Sequence, residues 1–197
     1  MVALRAVPTA PTGALPSDAD LVKAARDGEP WAFDALFRRH ARRINGLALR
    51  VIGRDADVDD LVQDTFASAL SSLHRLAEPA AFGGWLSSIL VRTASKMIRR
   101  RRLLARLGFG RSSLAVDLDA LIAPSVPPDE AAELRRLYAL AQDLPAELRI
   151  PLILQRVEGM ELDQIGTIIG ASIATVKRRI AKAEETLRAS FTRGEGR

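Results

Sequence analysis

No stretch of this chain alternates apolar and polar residues as a half-buried strand must. Its apolar residues recur instead at i, i+3, i+4 and i+7, segment after segment. A chain patterned this way buries its apolar side chains only by packing helix on helix, so the expected fold is all-α. A first helix opens at Ser17 or Asp18, carries Leu21, Val22, Ala24 and Ala25, and ends at the Gly28-Glu29-Pro30 break. A second runs from about Trp31 to near Gly53, with Phe33, Leu36, Phe37, Ile44, Leu47 and Val51 facing inward. A third spans about 56–73, with Val58, Leu61, Val62, Thr65, Phe66, Ala69 and Leu70 inward, before Glu78-Pro79. A fourth spans about 81–107, with Phe82, Leu86, Ile89, Leu90, Thr93, Met97 and Ile98 on one side; Gly83 and Gly84 weaken its first turn.

Beyond Gly108 the character changes. Residues 108–128 hold Gly, Ser, Asp and the prolines Pro124, Pro127 and Pro128, with only patchy periodicity. So long an unpatterned stretch is unusual inside one compact domain. It is read as a linker between two small helical domains, residues 18–107 and 129–197. Residues 1–17, broken by Pro8, Pro11 and Pro16, form a flexible tail without the apolar run of a signal peptide. Helices resume near Asp129 with Leu134, Leu137 and Leu140, and again after Leu144-Pro145 with Leu148, Leu152, Ile153 and Val157. Pro151 inside that last helix is expected to kink it.

The segment Glu161–Leu187 then reads as a short helix, a tight turn and a longer basic helix, the layout of a helix-turn-helix. Leu162, Ile165, Ile168 and Ile169 recur at helical spacing, and Gly170 stands where the first helix must stop. Ser172 is placed to cap the second, where Val176, Ile180, Ala183 and Leu187 form the inward stripe. Thr175, Lys177, Arg178 and Lys182 are left on outer faces, a set suited to phosphates and to guanine edges in a major groove. Any surface helix carries such residues opposite its core stripe; the preceding helix, the glycine turn and the cap favour DNA.

Charge is segregated too. The chain carries a formal +5 and a pI near 10.3, which suits a polyanionic partner. Five aspartates fall between Asp55 and Asp64, and seven basic residues with no acid between Lys96 and Arg111. The run Arg99-Arg100-Arg101-Arg102 wraps all sides of a helix, because successive residues point about 100° apart. Part of it can serve the helix dipole; a phosphate-contacting surface explains more of it. Cysteine is absent, which removes disulfides, thiol catalysis and Cys-ligated zinc. His40 and His74 show no ligand spacing, so no metal is expected. Neither a phosphate loop nor a nucleophile–base constellation marks an enzyme, and no cofactor is implied. No run approaches the roughly 20 apolar residues of a membrane span, so the expected place of work is the cytoplasm, without membrane insertion.

Asp57-Val58-Asp59-Asp60-Leu61-Val62-Gln63-Asp64-Thr65-Phe66 resembles the acidic signature of bacterial extracytoplasmic-function sigma factors of the sigma-70 family. Trp85-Leu86 before a long basic helix resembles the family's next element. Leu144-Pro145-Ala146-Glu147, Val157-Glu158-Gly159-Met160 and the Ile165/Gly170/Thr175-Val176-Lys177 pattern resemble its C-terminal domain. The ordered set covers about Asp18 to Phe191. It implies a non-enzymatic subunit that binds core RNA polymerase and directs promoter-specific initiation. The C-terminal domain would read the −35 element as duplex, and the N-terminal domain would read and melt the −10 element.

Carried over residue by residue, the resemblance implies −35 contacts at Ser172, Thr175, Lys177, Arg178, Arg179 and Lys182, with Arg179 able instead to pair with Glu184. It implies −10 contacts at Arg92, Lys96, Arg99 and Arg100, with His74 and Arg75 in the 73–81 connection that captures an extruded base. Polymerase would be bound through Asp59, Asp60, Leu61, Gln63, Asp64 and Phe66, with Val62 beside them. An anti-sigma factor, often membrane-anchored, is a further implied partner. Two departures matter. Arg92 and Lys96 stand where the family usually has Asn and Asp. The stretch Ala67–Leu73 also lacks the aromatics that stack on melted bases in housekeeping relatives, and each such contact contributes roughly 1–3 kcal/mol. Weak intrinsic melting and dependence on a near-consensus promoter are expected. Trp85 is expected in the core. The main rival is a dimeric helix-turn-helix regulator binding palindromic DNA unaided; it has no need of the acidic motif.

Overall fold

The computed structural model describes residues 15–52, 57–106 and 126–195, so most of the expected tail and linker lies outside the described residues. Eight α-helices are described there: α1 Asp18–Arg26, α2 Pro30–Ile52, α3 Val58–Ser72, α4 Phe82–Arg106, α5 Pro128–Asp143, α6 Ala146–Arg156, α7 Leu162–Ile169 and α8 Ile173–Glu195. Two short 3-10 turns, Leu73–Arg75 and Pro79–Ala81, carry the chain from α3 to α4. The fold is all-α, as the periodicity requires.

Each break has a local cause. Ser17 opens α1 with a reciprocal capping box: its hydroxyl accepts from the Asp20 N–H at 3.2 Å, while the Asp20 carboxylate accepts from the Ser17 N–H at 3.1 Å. After α1, Gly28 takes φ +89°, a region glycine enters without strain, and Pro30 starts α2 where its missing N–H is not needed. Asp18 then ties α1 to α2, accepting from Arg39 at 2.7 Å and facing His40 Nε2 at 2.8 Å. The His40 ring packs edge-on against Phe82 of α4, centroids 5.2 Å apart.

Helices α1–α4 bury Leu21, Val22, Leu36, Ile44, Leu47, Leu61, Phe82, Leu86 and Leu90 almost completely. The inward stripes differ from expectation at two places. Phe37 is 42% and Leu70 53% exposed. Leu36 and Phe37 are consecutive and cannot both face one core; Leu36 takes it. Phe37 turns toward Phe66, ring centroids 4.6 Å apart, at the edge of an open apolar groove. Gly83, in the first turn of α4, also has a part in packing. A Cβ there would lie 3.3 Å from the His40 ring, so the missing side chain lets α4 approach α2 closely.

In the second domain α6 is buried at every position from Arg149 to Leu154. Six consecutive residues encircle a helix, so α6 must be covered on all sides. α8 and α7 cover part of it and α2 of the first domain another part. Pro151 sits inside α6, yet the helix continues through it to Arg156. α5 buries only Ala131 and is held at the outside by Arg136, which stacks 4.2 Å from the Phe191 ring centroid and donates to the Phe191 carbonyl at 2.9 Å.

The two domains touch. α2 packs on α6 and α4 on α7, and the buried apolar residues form one continuous cluster. Polar groups stitch the same seam: Arg149 donates to the Val51 carbonyl at 3.0 Å, and Gln142 to the Leu49 carbonyl at 3.4 Å. These are carbonyls at the C-terminal end of α2, where a helix has no acceptor-satisfying N–H of its own.

Candidate nucleic-acid interface

The helix-turn-helix is built by three local devices. Glu161 and Gln164 form a capping box at the start of α7. Gly170 ends α7 with φ +67° in the left-handed region, as its position predicts. Ser172 caps α8, its hydroxyl accepting from the Thr175 N–H at 3.3 Å. A fourth device left no pattern in the sequence. A Cβ at Gly166 would lie 2.7 Å from the Ala171 carbonyl oxygen, so glycine alone lets the turn fold back onto α7.

Val176, Ile180 and Ala183 are buried beneath α8, which leaves Ser172, Lys177, Arg178 and Lys182 exposed together. Thr175 and Arg179 are half-buried at the edge of that face. Thr175 Oγ1 lies 3.0 Å from Ser172 Oγ and so belongs partly to the cap. Among the described residues Glu184 pairs with Arg156, its Oε1 accepting from Arg156 Nε at 2.9 Å.

A second basic face lies on α4. Arg92, Lys96, Arg99 and Arg100 are all exposed, and their spacing of four, seven and eight residues puts them on one side. The side chains of Arg101 and Arg102 lie outside the described residues. Arg92 is partly fixed, its Nε donating to the Ser88 carbonyl at 3.1 Å. The 73–81 connection is pinned from below by the buried Leu73 and Leu76, while His74 and Arg75 stay exposed. Arg26 of α1 holds it in shape, donating to the Leu73 carbonyl at 3.0 Å and also to the Leu76 carbonyl. Arg75 and Arg92 share an open cavity of about 780 Å³ with Trp85; His74 does not line it. Trp85, expected in the core, is half-buried, one side against Phe82 at 6.0 Å and another in this cavity.

The acidic segment forms α3. Asp59, Asp60, Gln63 and Asp64 are exposed along it. Leu61 corrects the expectation: it is fully buried, so it supports this surface from beneath and offers no contact of its own. Phe66 is 4% exposed and forms the floor of the apolar groove, about 420 Å³, between Phe33, Phe37, Val62 and Leu70. Asp59 and Gln63 thus rim an apolar trough, with Asp60 and Asp64 elsewhere on the exposed surface of α3.

The far wall of the 780 Å³ cavity comes from the second domain, through Glu158, Asp163 and Thr167. The Glu158 side chain is only 6% exposed. It accepts from Arg43 of α2 at 2.6 Å and from Arg50 at 3.4 Å. Arg43 also donates to Ser87 Oγ at 2.8 Å and to the Gly83 carbonyl at 2.7 Å. Arg26, Arg43 and Gly166 escape a sequence reading, because each acts on a partner far away in the chain or on backbone. Glu158 stands in a recognisable motif, but nothing there tells of α2.

Comparison with known proteins gives a consistent picture. The sigma-70 region 2 family matches residues 36–103, and the sigma-70 region 4 family matches residues 134–187. The ECF RNA polymerase sigma factor SigE of Mycolicibacterium smegmatis is 32% identical over 182 residues, covering 90% of this chain and 67% of that protein. The RNA polymerase sigma factor CarQ of Myxococcus xanthus is 32% identical over 164 residues, covering 83% and 91%. Among solved structures, CnrH in complex with the cytosolic domain of CnrY aligns with a TM-score of 0.59 at 27% identity, covering 90% of this chain and 98% of that one. The sigma factor RpoE of Bartonella quintana, solved with the anti-sigma factor NepR, shares the fold with a TM-score of 0.64 at 23% identity, covering 81% and 96%.

Proposed function

The chain belongs to the extracytoplasmic-function sigma factors of the sigma-70 family, and from that membership we propose how its surfaces divide the work of promoter recognition. The protein is a transcription initiation factor: it binds core RNA polymerase and directs it to promoters. Residues 129–197 read the −35 element as duplex. Lys177, Arg178 and Lys182 face the groove, Ser172 and Thr175 set the N-terminal end of the reading helix, and Arg179 reaches the backbone at its edge. Residues 18–107 bind the −10 element. Arg92, Lys96, Arg99 and Arg100 follow its phosphates, and the connection carrying His74 and Arg75 receives an unstacked base, with the Trp85 cavity beside it. Residues 108–128 link the two. The α3 surface holds polymerase: Asp59, Asp60, Gln63 and Asp64 meet basic groups, and the trough floored by Phe66 accepts an apolar side chain.

The observation that carries this reading is the α8 face. Three cations, Lys177, Arg178 and Lys182, stand exposed on a helix whose other face is buried and whose N-terminus is capped. A helix N-terminus with one exposed guanidinium and two exposed ammonium groups favours phosphate and base edges. We infer no reaction of its own; the surfaces bind and position. We also infer a proteinaceous inhibitor, by likeness to RpoE, solved with an anti-sigma factor, and to CnrH, solved with the cytosolic domain of CnrY. Among the described residues no helix is long and apolar enough to cross a membrane. The place of work is proposed to be that of the polymerase, the cytoplasm.

The test is transcription with purified core polymerase on a library of genomic fragments, comparing the protein with Lys177→Ala and Arg178→Ala. Start sites should need both protein and polymerase. A base-reading residue, once removed, relaxes one promoter position by roughly 1–3 kcal/mol, whereas a phosphate contact weakens all promoters and flattens the salt dependence. Unchanged promoter choice in both variants sinks the assignment of α8.

A further inference from the structure

The two DNA-reading faces proposed above are too close together. Elements named −35 and −10 lie about 25 base pairs apart, or about 85 Å along a duplex rising about 3.4 Å per base pair. Here α4 of the first domain touches α7 of the second, and Thr167 of α7 lines the same cavity as Arg75, Trp85 and Arg92. A molecule folded this way does not span a promoter, and the second domain walls one side of the cavity that Arg75 and Arg92 line. The structure is a closed form, and work on DNA requires the α2–α6 and α4–α7 contacts to part.

We propose that Glu158, clasped by Arg43 and Arg50, is the latch that holds this closed form and that core polymerase binds productively only after it releases. This rests on the functional reading above for its consequence, but not for its structure. Glu158 sits on the turn between α6 and α7, just before Gly159 at φ +65°, so it lies at the base of the helix-turn-helix. Both of its arginine partners lie on α2, across the seam. A carboxylate this deeply buried persists only when paired, because the interior does not replace its lost water. In the open form it and Arg50 return to water. The charges therefore contribute to closure only while all three groups stay together. Removing one leaves the others buried and uncompensated, and the seam opens. Arg43 is the exposed arm, at 37%, and gives a partner docking on the first domain direct access to the clasp.

The chain has no cysteine, so Ser71→Cys on α3 and Glu185→Cys on α8, both exposed, can carry a donor and acceptor dye on the full protein. The background is compared with Glu158→Gln, Arg43→Gln and the control Glu133→Gln, an exposed acid on α5 away from the seam. The free protein should show mainly high energy transfer. Each latch variant should raise the ratio of open to closed molecules about tenfold, and the control should not. Association with core polymerase should quicken in step, since only the competent fraction binds. Low transfer in the unaltered protein overturns the proposal. So does unchanged transfer in folded Glu158→Gln or, should that variant not fold, in Arg43→Gln, whose side chain is partly at the surface. A shift in transfer with no change in association overturns the coupling to polymerase. The dye measurement needs no polymerase or DNA, so failure of the sigma assignment would leave its result standing.

Discussion

The first domain closes on itself and the second leans on its neighbour. In helices α1–α4 the polar ties run inward among their own elements. Asp18 holds Arg39 and His40, Arg26 holds the 73–81 connection, and the Phe82 ring sits against both His40 and Trp85. In helices α5–α8 the most buried helix, α6, needs α2 to cover one side, and Arg149, Gln142 and Glu158 all find partners on α2. The difference fits what each must do. Under the proposed division of work, a domain that receives an unstacked base needs a rigid floor beneath it. A domain that has to move away gives up contacts that water replaces: carbonyls at a helix end and ion pairs.

The sharpest way to break this contrast is Phe82→Ala. Phe82 is fully buried at the meeting of α2 and α4. Truncating it should cost about 3–5 kcal/mol of stability. If the second domain leans on the first, amide exchange in α6 should accelerate along with that in α2 and α4. Full protection of α6 in the variant, with α2 and α4 loosened, would show that the second domain stands by itself.

Gly166→Ala asks the converse. The added methyl meets the Ala171 carbonyl at 2.7 Å, and backbone does not yield as a side-chain tip would. The expected cost is about 1–3 kcal/mol of overpacking, felt in α7 and α8. Promoter selection through the −35 element should fall while denaturant unfolding of α1–α4, followed by the fluorescence of Trp31 and Trp85, keeps its midpoint. A lowered midpoint there would mean that dependence runs both ways. A smaller version is Ser172→Ala. It removes one cap on α8 and should cost about 1 kcal/mol, visible as faster exchange of the Thr175 amide with no change at Glu158 or beyond the seam.

How legible each region was follows from the range of its interactions. The α7–α8 pair was legible almost to the residue, because Gly170, Ser172 and the Val176–Ile180–Ala183 stripe are signals within one or two turns of what they control. The basic stripe on α4 and the acidic one on α3 were legible for the same reason. Phe37 and Leu70 were misplaced because periodicity gives a face about 100° wide, and neighbours on its border are settled only by what packs against them. The clasp of Arg43 on Glu158 was out of reach. Its partners stand 115 residues apart, and an arginine in a helix looks the same whether it meets water or a buried acid from another domain. Arg26 and Gly166 were hidden likewise, since their partners are backbone atoms that no residue type marks.

The smallest expected effect lies at the far edge of the self-contained domain. The Asp20 carboxyl is held below its ordinary value, first by the Ser17 hydroxyl, which donates to it at 2.6 Å, and then by the Ser17 N–H. A folded-state value below the unfolded one means that ionisation favours the fold. That contribution is complete above the unfolded aspartate value of about 3.9 and fades as pH falls through the lower folded value. The group is fully exposed, so the effect is slight and confined to the opening turn of α1. Thermal melts at successively lower pH should show the unaltered protein losing slightly more stability across this acid range than Ser17→Ala, which starts lower and has less to lose. The same comparison read at α8 should show nothing. Acid sensitivity appearing there would tie the two domains together through α1, and the first would no longer count as closed on itself.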